Sequence, residues 1–230
     1  MLESRAVGSP IVPGSRLSKD EHGVVVDESF YKQVVGSLMY LTATRPDLMH
    51  SMSLVSRFMS KPTELHLQAT KRILRYLKGI VDYGIMYKRE ISDLVAYTDS
   101  DYAGDLDDRK STSGYVFLLG LGAISWLSKK QPIVTLSTTE AEFVAAAGCA
   151  SQAVWLTRVI AKLGCVLNKG TVVYCDNSST IKLSKNPVMH GSRHIDVRFH
   201  FLRELVQNEV IKLVHCGTKE QVADLMTKPL

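Results

Sequence analysis

The segment Val95-Ala96-Tyr97-Thr98-Asp99-Ser100-Asp101-Tyr102 constrains the chain more than any other, because it is a short apolar strand that runs straight into acids. Alternate side chains of a strand share a face, so Asp99 and Asp101 project together while Ser100 faces away. A carboxylate at a strand end stays hydrated or holds a cation, whereas in mid-sheet it is costly. Taken singly, the stretch reads more simply as two hydrated loop aspartates. The choice rests on where the later strands and acids fall.

Residues 1–27 carry Pro10, Pro13, several Gly and Ser and a charged patch at Lys19-Asp20-Glu21-His22, and read as an extended arm. Residues 28–90 read as a small helical segment. Its first helix holds Tyr31, Val34, Val35, Leu38 and Leu41 near a 3.6-residue period; the second opens at Asp47 after Pro46 and runs to Phe58; the third starts at Thr63-Glu64 and closes at Gly79. The third helix turns Lys71, Arg72, Arg75 and Lys78 outward, either as a solvated face or along phosphates. Tyr83–Tyr87 reads as a short strand.

From residue 91 to 230 the pattern changes. After the acidic strand, Tyr115–Leu119 and Ala123–Leu127 form a hairpin about Gly120-Leu121-Gly122. A long helix spans Thr138 to Leu163, a buried strand covers Val172–Cys175, helices cover Ser179–Leu183 and Ile195–Asn208, a strand covers Val210–Val214, and a last helix starts over Glu220–Met226. The order β-β-β-α-β-α-α-β-α predicts an α/β fold, a mixed five-stranded sheet with helices packed on it.

Asp99 and Asp176 both follow predicted strands, at the carboxyl ends where open α/β sheets place their sites. The long helix offers Glu140 and Glu142, which lie on roughly opposite faces. Ser137-Thr138-Thr139-Glu140 fits a capping box, which gives Glu140 a structural task. Glu142 shares a face with the small residues Ala145, Ala146 and Cys149, so it is the better partner for Asp99. Asp224 heads the last helix. Four acids at one edge repel one another unless divalent cations occupy the site, and oxygen-only ligands suit two ions of Mg²⁺ or Mn²⁺. Such a pair activates water and stabilises the leaving oxygen of a phosphodiester.

Lys and Arg exceed Asp and Glu by 28 to 23, which permits a polyanionic partner without demanding one. Cys149, Cys165, Cys175 and Cys216 form no CxxC pair, the first residues lack a signal-peptide core, and the uncharged run Ser111–Ser128 is broken by Ser, Thr and Gly. The expectation is an intracellular protein, cytoplasmic or nuclear and not secreted, without a membrane partner.

The motifs Asp99–Asp105, Arg109–Tyr115, Ser125-Trp126, Ser137–Phe143, Cys175-Asp176-Asn177, His194–Phe201 and Ala223–Leu230 together resemble the ribonuclease H domain of a copia-type retrotransposon Pol polyprotein. Val35–Leu41, Arg45–Leu48 and Lys71–Gly79 resemble the tail of its reverse transcriptase and the connection region. The resemblance implies a ribonuclease H-like fold and a two-metal, four-carboxylate site at Asp99, Glu142, Asp176 and Asp224. That site would cut the RNA strand of an RNA–DNA hybrid. No Tyr-x-Asp-Asp polymerase motif is present, so polymerisation would need the remaining reverse transcriptase as a partner, and the chain is expected to be a fragment. The alternative is a catalytically silent remnant that at most binds nucleic acid.

Lys129, Lys130, Arg193, His194 and Arg198 are candidates for phosphate contacts, with a plain solvated face as the other reading. His215, ahead of the Asp224 helix, lies where many ribonucleases H place a histidine that assists product release. The spacing of His190, His194 and His200 matches no zinc pattern.

Overall fold

The computed structural model describes residues 3–88, 93–165, 170–185 and 193–230, the last without the side chains of 193–196. Helices α1 (Glu28–Leu41), α2 (Met49–Val55) and α3 (Glu64–Gly79) precede strands β1 (Leu94–Ser100), β2 (Thr112–Leu119) and β3 (Gly122–Lys130). Then come α4 (Thr138–Lys162), β4 (Thr171–Cys175), α5 (Ser178–Lys185), α6 (Arg193–Gln207) and β5 (Ile211–His215). The sheet order is β3-β2-β1-β4-β5, antiparallel among the first three strands and parallel from β1 through β4 to β5.

The topology follows from the connections. Gly120, in the left-handed region at φ 64°, makes the tight β2–β3 turn. The 25-residue helix α4 is the crossover that makes β4 parallel to β1. By length and composition α4 would pass as a membrane-crossing helix, but its Ala146, Ala150 and Ala153 are at most 1% exposed because they lie on the sheet. Small side chains let helix and sheet approach closely. Phe117, Phe143, Val173, Leu202 and Ile211 fill the same core, each fully buried side chain contributing about 1.5–3 kcal/mol.

A second core joins the three N-terminal helices through Tyr31, Val35, Leu48, Met52, Val55 and Ile73. Thr63 opens α3: its own amide donates to His66 Nδ1 at 2.9 Å while its hydroxyl faces the same ring. Three of the four outward cations of α3 are tied to the chain's own backbone and side chains. Arg72 donates to Ser9, Arg75 to the Arg5 carbonyl and Lys78 to the Ser4 carbonyl, at 2.8–3.1 Å, so they hold the N-terminal arm.

Three expectations change. Tyr83–Tyr87 is not a strand; its anchor is a side chain, Tyr87, whose ring lies where a Cβ on Gly122 would come within 2.6 Å and whose hydroxyl donates to the Ala123 carbonyl. The second helix is α2 flanked by 3-10 turns, Pro46–Leu48 before it and Ser56–Phe58 after it. The last helix is replaced by two 3-10 turns, Thr218–Glu220 and Val222–Met226, because Gln221 between them is extended at ψ 93°.

The helical segment and the sheet meet along β3 and the β1–β2 loop. Arg57 donates to Asp105 at 3.0 Å and to Thr112 at 3.1 Å, Lys130 reaches the same Asp105 oxygen at 2.9 Å, and Trp126 Nε1 donates to the Thr42 carbonyl at 2.8 Å. Burial alone would raise Asp105, but the hydrogen bond from Lys130, the amides of Asp108 and Asp107, and the Lys130 charge hold it down at about 2. Arg57→Met leaves Asp105 with Lys130 and the amides of Asp107 and Asp108 but removes one of its two cations among the described residues. It is expected to lower unfolding free energy by about 1–3 kcal/mol, the scale of a lost hydrogen bond to a charged group, measured by urea denaturation.

Candidate active site

Strand alternation and register bring the first two acids together. Ala96, Val173 and Cys175 lie in the core beneath α4, so Tyr97, Asp99, Tyr174 and Asp176 take the opposite phase. Tyr97 pairs with Tyr174 across the parallel β1–β4 ladder, their rings stacked at 5.0 Å. Two residues further along each chain come Asp99 and Asp176. Asn177 then accepts from the Thr180 amide at 3.0 Å and turns the chain into α5, which leaves Asp176 at the strand end.

Glu142 comes from the first turns of α4. Ser137 caps that helix, accepting from the Glu140 amide at 3.2 Å. Glu140 does reach back as a cap, but to the amide of Leu136 at 2.6 Å rather than to that of Ser137. On the other face, Glu142 is 7% exposed. It engages the Ser100 backbone and the Asp99 side chain, while its Oε2 is buried with no hydrogen-bond partner among the described residues.

Clamps fix the carriers. Gln131 Nε2 lies within 3.2 Å of Ser100 Oγ, Ser113 Oγ and the Ala141 carbonyl, joining α4 to β1 and β2. Thr180 Oγ1 donates to the Thr139 carbonyl, joining α5 to α4. Gln221 Nε2 donates to the Thr98 carbonyl at 3.0 Å and seats the C-terminal turn on β1. That turn carries Asp224 and returns Thr227, whose hydroxyl donates to Asp99. Gly114, opposite Asp99 in β2, has no side chain because Met226 lies there: a Cβ would meet Met226 Cβ at 2.4 Å.

Electrostatics show how closely the acids approach. Burial raises Glu142 to about 9, with the charges of Asp99 and Asp176 adding to it. Asp99 is also raised, by burial first; Thr227 and Lys228 pull it down and Asp224 and Asp176 push it up. Glu142, Cys175 and Asp176 each offer a ligand atom, all within 4.8 Å of one another. Asp224 is tied in through Lys228, whose ammonium is 2.6 Å from Asp224 Oδ1 and 4.0 Å from Asp99 Oδ2.

Asp101 does not join them. It lies past the end of β1 and accepts from the Thr112 amide at 2.6 Å. Cys175, Thr227 and Lys228 escaped the reading of the sequence. In the sequence Cys175 reads as the end of a buried strand and Thr227 and Lys228 as members of the Ala223–Leu230 motif, none of them with a site role of its own. Lys129 and Arg198 line one groove of about 520 Å³ between β2–β3, α4 and α6, and Arg198 Nη1 is buried with no hydrogen-bond partner among the described residues. Lys130 is half-committed to Asp105 and Asp108. The side chains of Arg193 and His194 lie outside the described residues, as does His190. His215 ends β5, exposed, paired in register with Cys175.

The donor set fits a hard divalent cation: several carboxylate oxygens, one of them buried without a partner, and a thiol whose burial keeps it protonated.

Comparison with known proteins places the chain. No family model matches it. It is 44% identical over 232 residues, all of its length, to the retrovirus-related Pol polyprotein from transposon RE1 of Arabidopsis thaliana, and 43% identical over 236 residues to that from transposon TNT 1-94 of Nicotiana tabacum. The chain belongs to the retrovirus-related Pol polyproteins of transposons. It spans 16% and 18% of the length of these two relatives. It is also 48% identical over 129 residues to secreted RxLR effector protein 161 of Plasmopara viticola, covering 91% of that protein. Among solved structures, a foamy viral protease-reverse transcriptase in complex with RNA/DNA hybrid superposes on 87% of this chain and 26% of its own, with TM-score 0.54 and 16% identity. The sheet and its helices are those of a ribonuclease H-like fold.

Three tests follow for this Pol segment. Gly114→Ala drives a Cβ into Met226 and is expected to cost about 1–3 kcal/mol in thermal unfolding. Gly148→Ala, on the exposed side of α4 with nothing within 4 Å, is expected to be neutral or stabilising by up to about 1 kcal/mol. For pH, Glu142 has a folded value of about 9 against 4.5 unfolded, so the folded state binds the extra proton. Its contribution is fully present below pH 4.5 and is lost as pH rises through 9. Without divalent cations, the melting temperature of the wild type should therefore fall relative to Glu142→Gln between pH 5 and pH 9; parallel curves would contradict the burial of this carboxyl.

Proposed function

We propose that this chain is a divalent-metal-dependent endonuclease of the ribonuclease H type, hydrolysing the RNA strand of an RNA–DNA hybrid. The observation that carries the reading is the buried Glu142 oxygen, without a hydrogen-bond partner among the described residues, set beside Asp99 and Asp176, whose charges add to the rise that burial imposes on Glu142. Asp99, Glu142, Asp176 and Asp224 would hold two Mg²⁺ or Mn²⁺ ions. Ions held there would supply Lewis acidity for activating water and neutralising charge on a phosphodiester.

The chain's own residues do the positioning. Thr227 donates to one oxygen of Asp99 and the Ser100 backbone engages Glu142, so neither carboxylate rotates freely. Gln221 holds the Asp224 turn against β1, and Gln131 holds α4 against β1 and β2. Holding reacting groups in one geometry is itself a large part of catalysis. Lys129 and Arg198, which line that groove, offer charge for the backbone phosphates. His215, exposed at the end of β5, is the candidate for assisting product release. The hybrid as substrate draws support from the foamy viral structure, solved with RNA/DNA hybrid, and from the Pol relatives.

A second reading has one observation in its favour. Lys228 pairs with Asp224 and neighbours Asp99, as it would in a silent remnant that only binds nucleic acid. An end-labelled RNA–DNA hybrid separates the two. Cleavage with Mg²⁺ that EDTA abolishes, and that Asp176→Asn lowers by more than roughly a hundredfold, is expected for the enzyme, since even lost support of a ligand costs up to about that much. Binding of the hybrid by wild type and Asp176→Asn alike, with cutting by neither, would establish the remnant.

A further inference from the structure

The C-terminal turn carries an acid of the site and, four residues later, a cation aimed back at it. The Lys228 amide donates to the Asp224 carbonyl at 2.8 Å, which closes the turn. This closure brings Nζ to 2.6 Å from Asp224 Oδ1 and 4.0 Å from Asp99 Oδ2. Between the two, Thr227 donates its hydroxyl to Asp99. One short turn thus supplies a carboxylate, a hydrogen bond that orients a second carboxylate, and a positive charge shared by both.

The ammonium is held loosely. The Lys228 side chain is 49% exposed and reaches the acids on a flexible four-carbon stem. A monovalent, strongly hydrated charge at the rim is a weak partner by comparison with a divalent ion coordinated directly by carboxylate oxygens. It also leaves the interior unserved: among the described residues the buried Glu142 Oε2 has no hydrogen-bond partner although Lys228 is in place.

We propose that Lys228 is a built-in counter-ion of the acidic site. It neutralises Asp224 and Asp99 while no divalent cation is bound, and it swings into solvent when one binds. The inference rests on reading the acids as a cation site. Its consequence is that Lys228 competes with the cation: it stabilises the cation-free protein and weakens divalent binding.

The test is calorimetric titration of the full chain with MgCl₂, and separately with MnCl₂, comparing wild type, Lys228→Met, Lys228→Gln, Lys228→Arg and Asp176→Asn, with thermal melting in parallel. Both neutral variants are expected to bind Mg²⁺ roughly two- to fivefold more tightly, the scale of an exposed ion pair, with the gain shrinking as salt is added. Lys228→Arg should match the wild type. Without divalent cation the neutral variants should melt below the wild type, and saturating Mg²⁺ should close that gap. Two neutral side chains of different polarity guard against a packing artefact at one of them. If the wild type binds Mg²⁺, Asp176→Asn weakens it, and the neutral variants bind equally or less tightly, the counter-ion role is overturned while the cation site stands. If neither wild type nor the Lys228 variants bind Mg²⁺ or Mn²⁺, the cation site is overturned and this inference with it.

Discussion

Carboxylates that repel one another are held side by side in this molecule, and the constraint organises most of what surrounds them. Asp99 and Asp176 arrive by parallel register, Glu142 by the close approach of a helix rich in alanine, and Asp224 on a turn pinned to β1. Three of these arrivals are secured by a neutral donor: Thr227 to Asp99, Gln131 between α4 and the strands, Gln221 to the Thr98 carbonyl. Neutral clamps are suited to this task. They fix geometry without cancelling the negative charge that makes the cluster attractive to a hard cation.

The architecture and the acids were legible from local patterns, because strand alternation, helix period and turn residues all act within a few positions. Asp99 and Asp176 are strand-end acids in the sequence, and the helical period separates Glu140 from Glu142. What escaped depends on partners far along the chain. Asp101 looked equivalent to Asp99, but the Thr112 amide, eleven residues away, takes it out of the cluster. Tyr83–Tyr87 has strand-like composition, yet its hold on the hairpin is the Tyr87 ring against Gly122 rather than a backbone ladder. The final helix could not be distinguished from two 3-10 turns, since Gln221 becomes extended only in reaching Thr98, more than a hundred residues earlier. The phosphate reading of Arg72, Arg75 and Lys78 gave way for a similar reason: a stripe of cations does not announce that its own arm will lie across it.

The helical segment and the sheet share load at charged and aromatic points. Asp105 collects Arg57 from one and Lys130 from the other, and His50, buried on α2, is directed at the backbone of Met226 in the turn that carries Asp224. Burial and the Arg57 charge hold His50 down at about 4, so it stays neutral near pH 7 and brings no charge to the joint. Packing around the acids therefore extends beyond the sheet, and the N-terminal helices belong to the setting of Asp224 as much as β1 does.

The seam along β3 has a further bearing. β3 is the outermost strand of its sheet, and a bare edge presents unpaired amides and carbonyls to any neighbouring chain. Here Tyr87 caps the Ala123 carbonyl and Trp126 is drawn to Thr42 instead of standing in solvent. A version trimmed to the sheet and its following helices would uncover that margin together with its tryptophan. Self-association through strand addition would then be the first failure of such a trimmed protein, ahead of any loss of its fold.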